Sequence, residues 1–158
     1  ALIGVALNVI TLPKLSSLKR SGRQVEGNSY LNRSMQLSLI FALPASLGLI
    51  YLNFEIISSL FQRGNFLVND AIQTSKALSI YSLSIIPISL QMLLLNFYFA
   101  EKNIRIPFYY SLASVFLNVS LAYTLLDKLE FLAPPIAYAI TNWLVFISLV
   151  YHLSLIHI

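Results

Sequence analysis

Five stretches of the chain contain no Asp, Glu, Lys or Arg: 1–13, 34–54, 77–100, 106–126 and 131–158. A helix needs about 20 apolar residues to cross the hydrocarbon of a bilayer. Four of the stretches reach that length, and the first reads as the tail of a span. The pattern predicts an all-α fold, a polytopic transmembrane helix bundle. It has about four full spans (34–53, 77–100, 107–126, 131–151) and one truncated span (1–12). Buried helices of a large soluble protein are the competing reading, but such helices are seldom this long or this many in succession.

The segments between the spans carry the turn signals. Pro13-Lys14 is expected to stop the first span, and a polar loop over 14–33 follows. Pro44 and Gly48 lie inside the second span, with a kink expected near Pro44. In 55–70, Ile56, Ile57, Leu60 and Phe61 fall on one side of a short amphipathic helix suited to the membrane interface. Arg63-Gly64-Asn65 then reads as a turn, and Asp70 with Gln73 as a capping box opening the next helix. The third span has Pro87 in its middle. It ends in Phe97-Tyr98-Phe99, a cluster suited to the head-group belt. A tight loop over 101–105 precedes Pro107, which suits the first turn of the fourth span. The loop over 127–130 is so short that spans four and five must be antiparallel neighbours.

Charge fixes an orientation. Loops 14–33 and 101–105 share one side and hold Lys14, Lys19, Arg20, Arg23, Arg33, Lys102 and Arg105. The opposite loops, 55–70 and 127–130, hold only Arg63 and Lys128. The positive-inside rule places the first pair in the cytoplasm of a multi-pass membrane protein. Composition agrees: 58% of residues are hydrophobic and 10% charged, against about 25% charged in soluble domains. The basic loop is a topology signal before it is a site for nucleic acid or anionic lipid.

Catalytic chemistry finds no footing. There is no cysteine, and the two histidines are His152 and His157. The five glycines are scattered, so no phosphate loop forms. No nucleophile, base or metal-ligand cluster is legible. The chain is expected not to be an enzyme and to need no cofactor or metal, and nucleic acid is not an expected partner. Ala1 follows no initiator methionine or signal peptide and is not expected to be a natural N-terminus. Residues 154–158 resemble adapter read-through, so His157 is given no role.

The polar residues inside the spans are the candidates for function. Span three carries Ser79, Ser82, Ser84, Ser89, Gln91 and Asn96, with Ser84 and Gln91 on one face. On span four Ser111, Ser114 and Asn118 share a face, and on span five Tyr138, Thr141 and Asn142 do. Polar groups are costly in hydrocarbon, so these faces should meet other helices or a wet cavity. Lys76, Gln91, Asn96, Asn118 and Asn142 are the substrate-cavity candidates. Lys76, at the edge of a span, is first a snorkelling residue and second a head-group contact.

Several strings resemble one known family. These are LPKLS over 12–16, FALPASLGL over 41–49, and LFQRGNFLVNDAIQTSKAL over 60–78 with Arg63, Gly64, Phe66 and Asp70. FYFAEKNIRIP over 97–107, with Tyr98 and Pro107, and Asn118-Val119 complete the set. Their order and spacing resemble the MurJ (MviN) lipid II flippases. The resemblance implies fourteen helices in two lobes of the MOP exporter superfamily, with this chain running from the end of helix eight through helix twelve. It also implies movement of an undecaprenyl-linked peptidoglycan precursor across the inner membrane by alternating access. The partners would be that lipid, the surrounding membrane and the N-terminal lobe of the same protein. Asn103 and Ile104 depart from the family's Asp and Thr. The family's cavity arginines lie outside this stretch, so the segment alone is expected not to transport. Another MOP-type lipid-linked oligosaccharide exporter and a non-transporting membrane scaffold are the alternatives.

Overall fold

A computed structural model describes the backbone of residues 2–157 and the side chains of residues 9–154. Its elements are α1 (Leu2–Arg20), α2 (Gln24–Tyr51), α3 (Asn53–Phe61), α4 (Val68–Ser82), α5 (Ile85–Ala100), α6 (Arg105–Leu129) and α7 (Ala133–His157). A 3-10 turn, Glu130–Leu132, joins the last two. Three helical stretches are long and apolar enough to cross a membrane: 24–51, 68–100 and 105–154. The third is the α6–α7 hairpin. Each arm has 25 residues and extends about 37 Å at 1.5 Å per residue, more than the roughly 30 Å hydrocarbon core. The chain is an all-α transmembrane bundle.

The first basic segment is not a loop. α1 runs through Pro13 to Arg20, and α2 resumes at Gln24. The turn between them is a Schellman closure: Arg23 N–H donates to Leu18 O (3.0 Å) and Gly22 N–H to Lys19 O (3.1 Å). Gly22 supplies the left-handed residue that this closure needs, at φ +72°. The end of α5 uses the same closure, with Asn103 N–H on Tyr98 O and Lys102 N–H on Phe99 O, both 3.0 Å. There the left-handed position is Lys102, at φ +59°.

The 55–70 segment is a helical hairpin. Gly64 (φ +60°) turns the chain, Phe66 N–H donates to Arg63 O (3.2 Å), and the Phe61 and Phe66 rings lie 6.3 Å apart. Asp70 is not the N-cap. It sits at the third position of α4 and accepts from Leu67 N–H at 2.9 Å. Leu67 has no side-chain acceptor, so the reciprocal half of a capping box cannot form. The last hairpin turns later than its charges suggest. α6 continues through Asp127 and Lys128, and the reversal falls at Glu130, at φ +46°.

α1, α2 and α5 pack on one another, α7 packs on α5 and α4, and α6 leans chiefly on α7. α2 turns a narrow face inward: Gly27, Leu31, Ser34, Ser38, Ala42 and Ser46 are its buried residues. Small side chains at near-helical spacing let helices approach closely where lipid supplies no hydrophobic drive. The large buried side chains gather at one end. Leu15, Leu31, Leu93 and Phe97 form one cluster, and Leu94, Tyr98 and Leu149 adjoin it. Phe108, Tyr109, Val115, Phe116, Val119 and Tyr123 of α6 remain exposed.

Candidate functional site

The third apolar stretch is two helices, not one, and Pro87 explains why. A proline inside a helix lacks the N–H that would bond the carbonyl four residues back and crowds that carbonyl. For Pro87 that carbonyl is Leu83 O. α4 therefore ends at Ser82 in two tight turns, Leu83 N–H to Ile80 O (3.2 Å) and Ser84 N–H to Tyr81 O (3.0 Å), before α5 begins at Ile85. Irregular backbone at membrane depth must find partners within the protein. Here neighbours supply them. Trp143 Nε1–H of α7 donates to Leu83 O (3.2 Å), and Ser46 Oγ–H of α2 donates to Ser82 O (2.7 Å).

One turn past Pro87 on α5, and beside Trp143 on α7, the polar contacts continue. Gln91 Nε2–H donates to the backbone carbonyl of Asn142 at 2.6 Å. Asn142 Nδ2–H donates within its own helix to Tyr138 O (2.8 Å). The Tyr110 hydroxyl donates to Ser148 O (3.3 Å) and sets the register of the α6–α7 hairpin. That register brings Asn118 level with the 140–142 turn of α7. Among the described residues, four buried side-chain atoms have no protein hydrogen-bond partner: Ser38 Oγ, Ser84 Oγ, Asn118 Nδ2 and Thr141 Oγ1. An unpaired buried polar group costs about 1–3 kcal/mol, so such atoms call for an explanation. Three of them, on the α4–α5 break, α6 and α7, lie around the same layer.

The sequence candidates are thus divided. Gln91 and Asn142 meet directly, and Asn118 stands at their level on the neighbouring hairpin arm. Asn96 is buried and partnered further along α5, beside the large-residue cluster. Lys76 is exposed on α4, and the structure brings it to none of the others. Several members of the layer are absent from the sequence candidates. Ser46 lies on the small-residue face of α2 with Ser34, Ser38 and Ala42, and Trp143 carries no helical-face signal of its own. The break itself is announced only by Pro87.

A second polar contact holds the opposite end. The Lys19 ammonium hydrogen-bonds Glu101 and lies 3.3 Å from the centroid of the Phe97 ring. Burial pulls the Lys19 pKa below the ordinary lysine value, and the Glu101 carboxylate opposes that shift. Nearby, the Tyr98 hydroxyl is 3.0 Å from His152 Nδ1.

Comparison with known proteins gives this bundle its place. A family model described as lipid II flippase MurJ matches residues 1–155. The chain belongs to the MurJ family. A probable lipid II flippase MurJ of Rickettsia prowazekii is 26% identical over 143 residues, 90% of this chain and 28% of that protein. The Bdellovibrio bacteriovorus protein of the same name is 35% identical over 128 residues, 81% of this chain and 24% of its own length. That of Aquifex aeolicus is 41% identical over 85 residues, 54% of this chain and 17% of its own length. The chain spans about a quarter of the length of the first two relatives.

The residues of the strings that resemble the family have these places in the structure. Gly64 makes the α3–α4 turn, Phe66 closes it against Phe61, and Asp70 accepts from the Leu67 N–H at the start of α4. Arg63 is exposed at the turn. Tyr98 is fully buried against Leu94 and Leu149, and Pro107 is the buried residue of the first turn of α6.

Proposed function

We propose that this chain is part of a lipid II flippase of the bacterial inner membrane, which carries an undecaprenyl-linked peptidoglycan precursor between leaflets by alternating access. The match of the family model across residues 1–155 carries this reading. In it, the apolar part of α2 from residue 34 on, the broken α4–α5 pair, α6 and α7 cross the bilayer, with segments 14–33 and 101–105 cytoplasmic, and the chain packs in the C-terminal lobe against an N-terminal lobe.

The polar layer around the α4–α5 break is the part of this segment that serves transport. Gln91, Asn118, Asn142, Ser84 and Thr141 offer amides and hydroxyls to the sugars and peptide of the head group. Polar groups without partners in one state of a bundle acquire them when the bundle opens and water or substrate enters. No Lys or Arg lies in the layer among the described residues. The pyrophosphate, which needs paired cations in a low-dielectric site, would be held by other parts of the full-length protein. The segment by itself would not transport.

The test is complementation. The full-length gene should rescue cells depleted of their own lipid II flippase, and the same gene carrying Gln91→Leu and Asn118→Leu should rescue poorly at equal membrane abundance. Full rescue by the double variant removes the layer from the transport path. Failure of the unaltered gene, with its product in the membrane, removes the flippase reading.

A further inference from the structure

The end of α1 and the start of α2 enclose an open cleft of about 430 Å³, whose lining includes Lys14, Leu18, Arg23, Val25, Glu26, Tyr30 and Arg33. Three of the five cations between positions 14 and 33 converge on it. Lys19 is not among them, being held by Glu101 and Phe97. The single carboxylate there is Glu26, whose one ion pair among the described residues is a loose contact with Arg23 at 3.7 Å, both side chains being largely exposed. The cleft thus keeps an excess of positive charge that the protein does not neutralise.

Its depth is set by its own residues. Lys14 is the first charge after the apolar stretch 1–13, and Arg33 the last before the stretch 34–54. Both therefore stand where hydrocarbon gives way to head groups. Leu18 and Val25, the latter 81% exposed, give the cleft an apolar margin beside its cations. The Tyr30 hydroxyl adds a neutral donor.

We infer that this cleft is a binding site for an anionic phosphate group, presented at the membrane surface as the phosphodiester of an acidic phospholipid. Guanidinium and ammonium groups around one oxyanion make charge-assisted hydrogen bonds, and basic pockets beside membrane helices collect acidic head groups in this way. The inference is independent of which substrate the protein carries.

Full-length protein in nanodiscs of phosphatidylcholine with a minor share of phosphatidylglycerol provides the test, read as lipid retained in native mass spectrometry. Lys14→Gln with Arg33→Gln should lower retention of phosphatidylglycerol relative to phosphatidylcholine on the order of tenfold, and Lys14→Arg with Arg33→Lys should restore it. Arg23→Gln alone, which breaks only an exposed contact, should lower it less and guards against a folding defect in the double variant. Persistence of the bound lipid in millimolar inorganic phosphate identifies the lipid as the source of the group. Displacement by inorganic phosphate identifies a small soluble phosphate instead. Retention unchanged in both the neutral double variant and Arg23→Gln overturns the site.

Discussion

The two ends of α5 are built on opposite principles. Toward its C-terminus the helix buries Leu93, Leu94, Phe97 and Tyr98, all at 2% exposure or less, against Leu15, Leu31 and Leu149. The Lys19–Glu101 contact closes that end. Toward its N-terminus the helix is broken, its neighbours present Ser46, Thr141 and small residues, and hydrogen bonds to freed carbonyls replace interlocked side chains. Close packing admits one arrangement, because every displaced methylene leaves a gap. A polar layer with unpaired atoms admits more than one, because a hydrogen bond broken in one arrangement can be replaced by a different one in another. The first end is a rigid anchor and the second is where this segment can change shape.

That contrast can be broken by substitution. Phe97→Ala should be the most damaging, at about 3 kcal/mol, the lower part of the usual Phe→Ala range because lipid rather than water surrounds the bundle. Unfolding in detergent with increasing denaturant would measure it, and a loss below about 1 kcal/mol would show that the anchor is loosely packed. Lys102→Gly should move stability the other way by about 1 kcal/mol. Glycine adopts the left-handed position that Lys102 now occupies at φ +59° without the clash of a Cβ. Trp143→Phe keeps an aromatic side chain, though a smaller one, and removes the donor to Leu83 O. Hydrogen bonds between membrane helices average about 0.6 kcal/mol, so the expected loss is of that size, seen in the same titration. Ser84→Ala should be smallest, near zero or slightly stabilising, since the hydroxyl it removes has no protein partner. Its effect should appear in complementation and not in unfolding. A stability loss near 1 kcal/mol would mean that the hydroxyl is satisfied.

The helices are legible in the sequence because freedom from charge over about 20 residues has few other solutions. Their ends are less so. Pro13 suggests a stop for α1, yet the helix passes through it to Arg20, where Gly22 provides the closure. Pro87 is visible in the middle of its stretch, but where the chain breaks follows from counting back to Leu83, and what catches Leu83 O follows only from three dimensions. Trp143 is 60 residues away. Lys19 and Glu101 are 82 apart, and nothing local marks them as partners. Helices that are apolar on every side also conceal which face is buried. The spacing of Gly27, Leu31, Ser34, Ser38, Ala42 and Ser46 on α2 is an available cue, because small residues mark membrane interfaces where hydrophobicity cannot. Helical spacing marks Gln91 and Asn142 as members of polar faces, but a face does not say which residue meets which.

Thiol accessibility tests the contrast between the two ends most directly. This chain has no cysteine, so single cysteines can be placed in full-length protein otherwise free of them, in intact membranes. Ser84→Cys at the break should react with a small, charged thiol reagent as the bundle opens, while Leu93→Cys in the packed anchor should stay unlabelled until the protein is denatured. Equal protection at both positions, or labelling of Leu93→Cys ahead of Ser84→Cys, would contradict a polar layer that admits water.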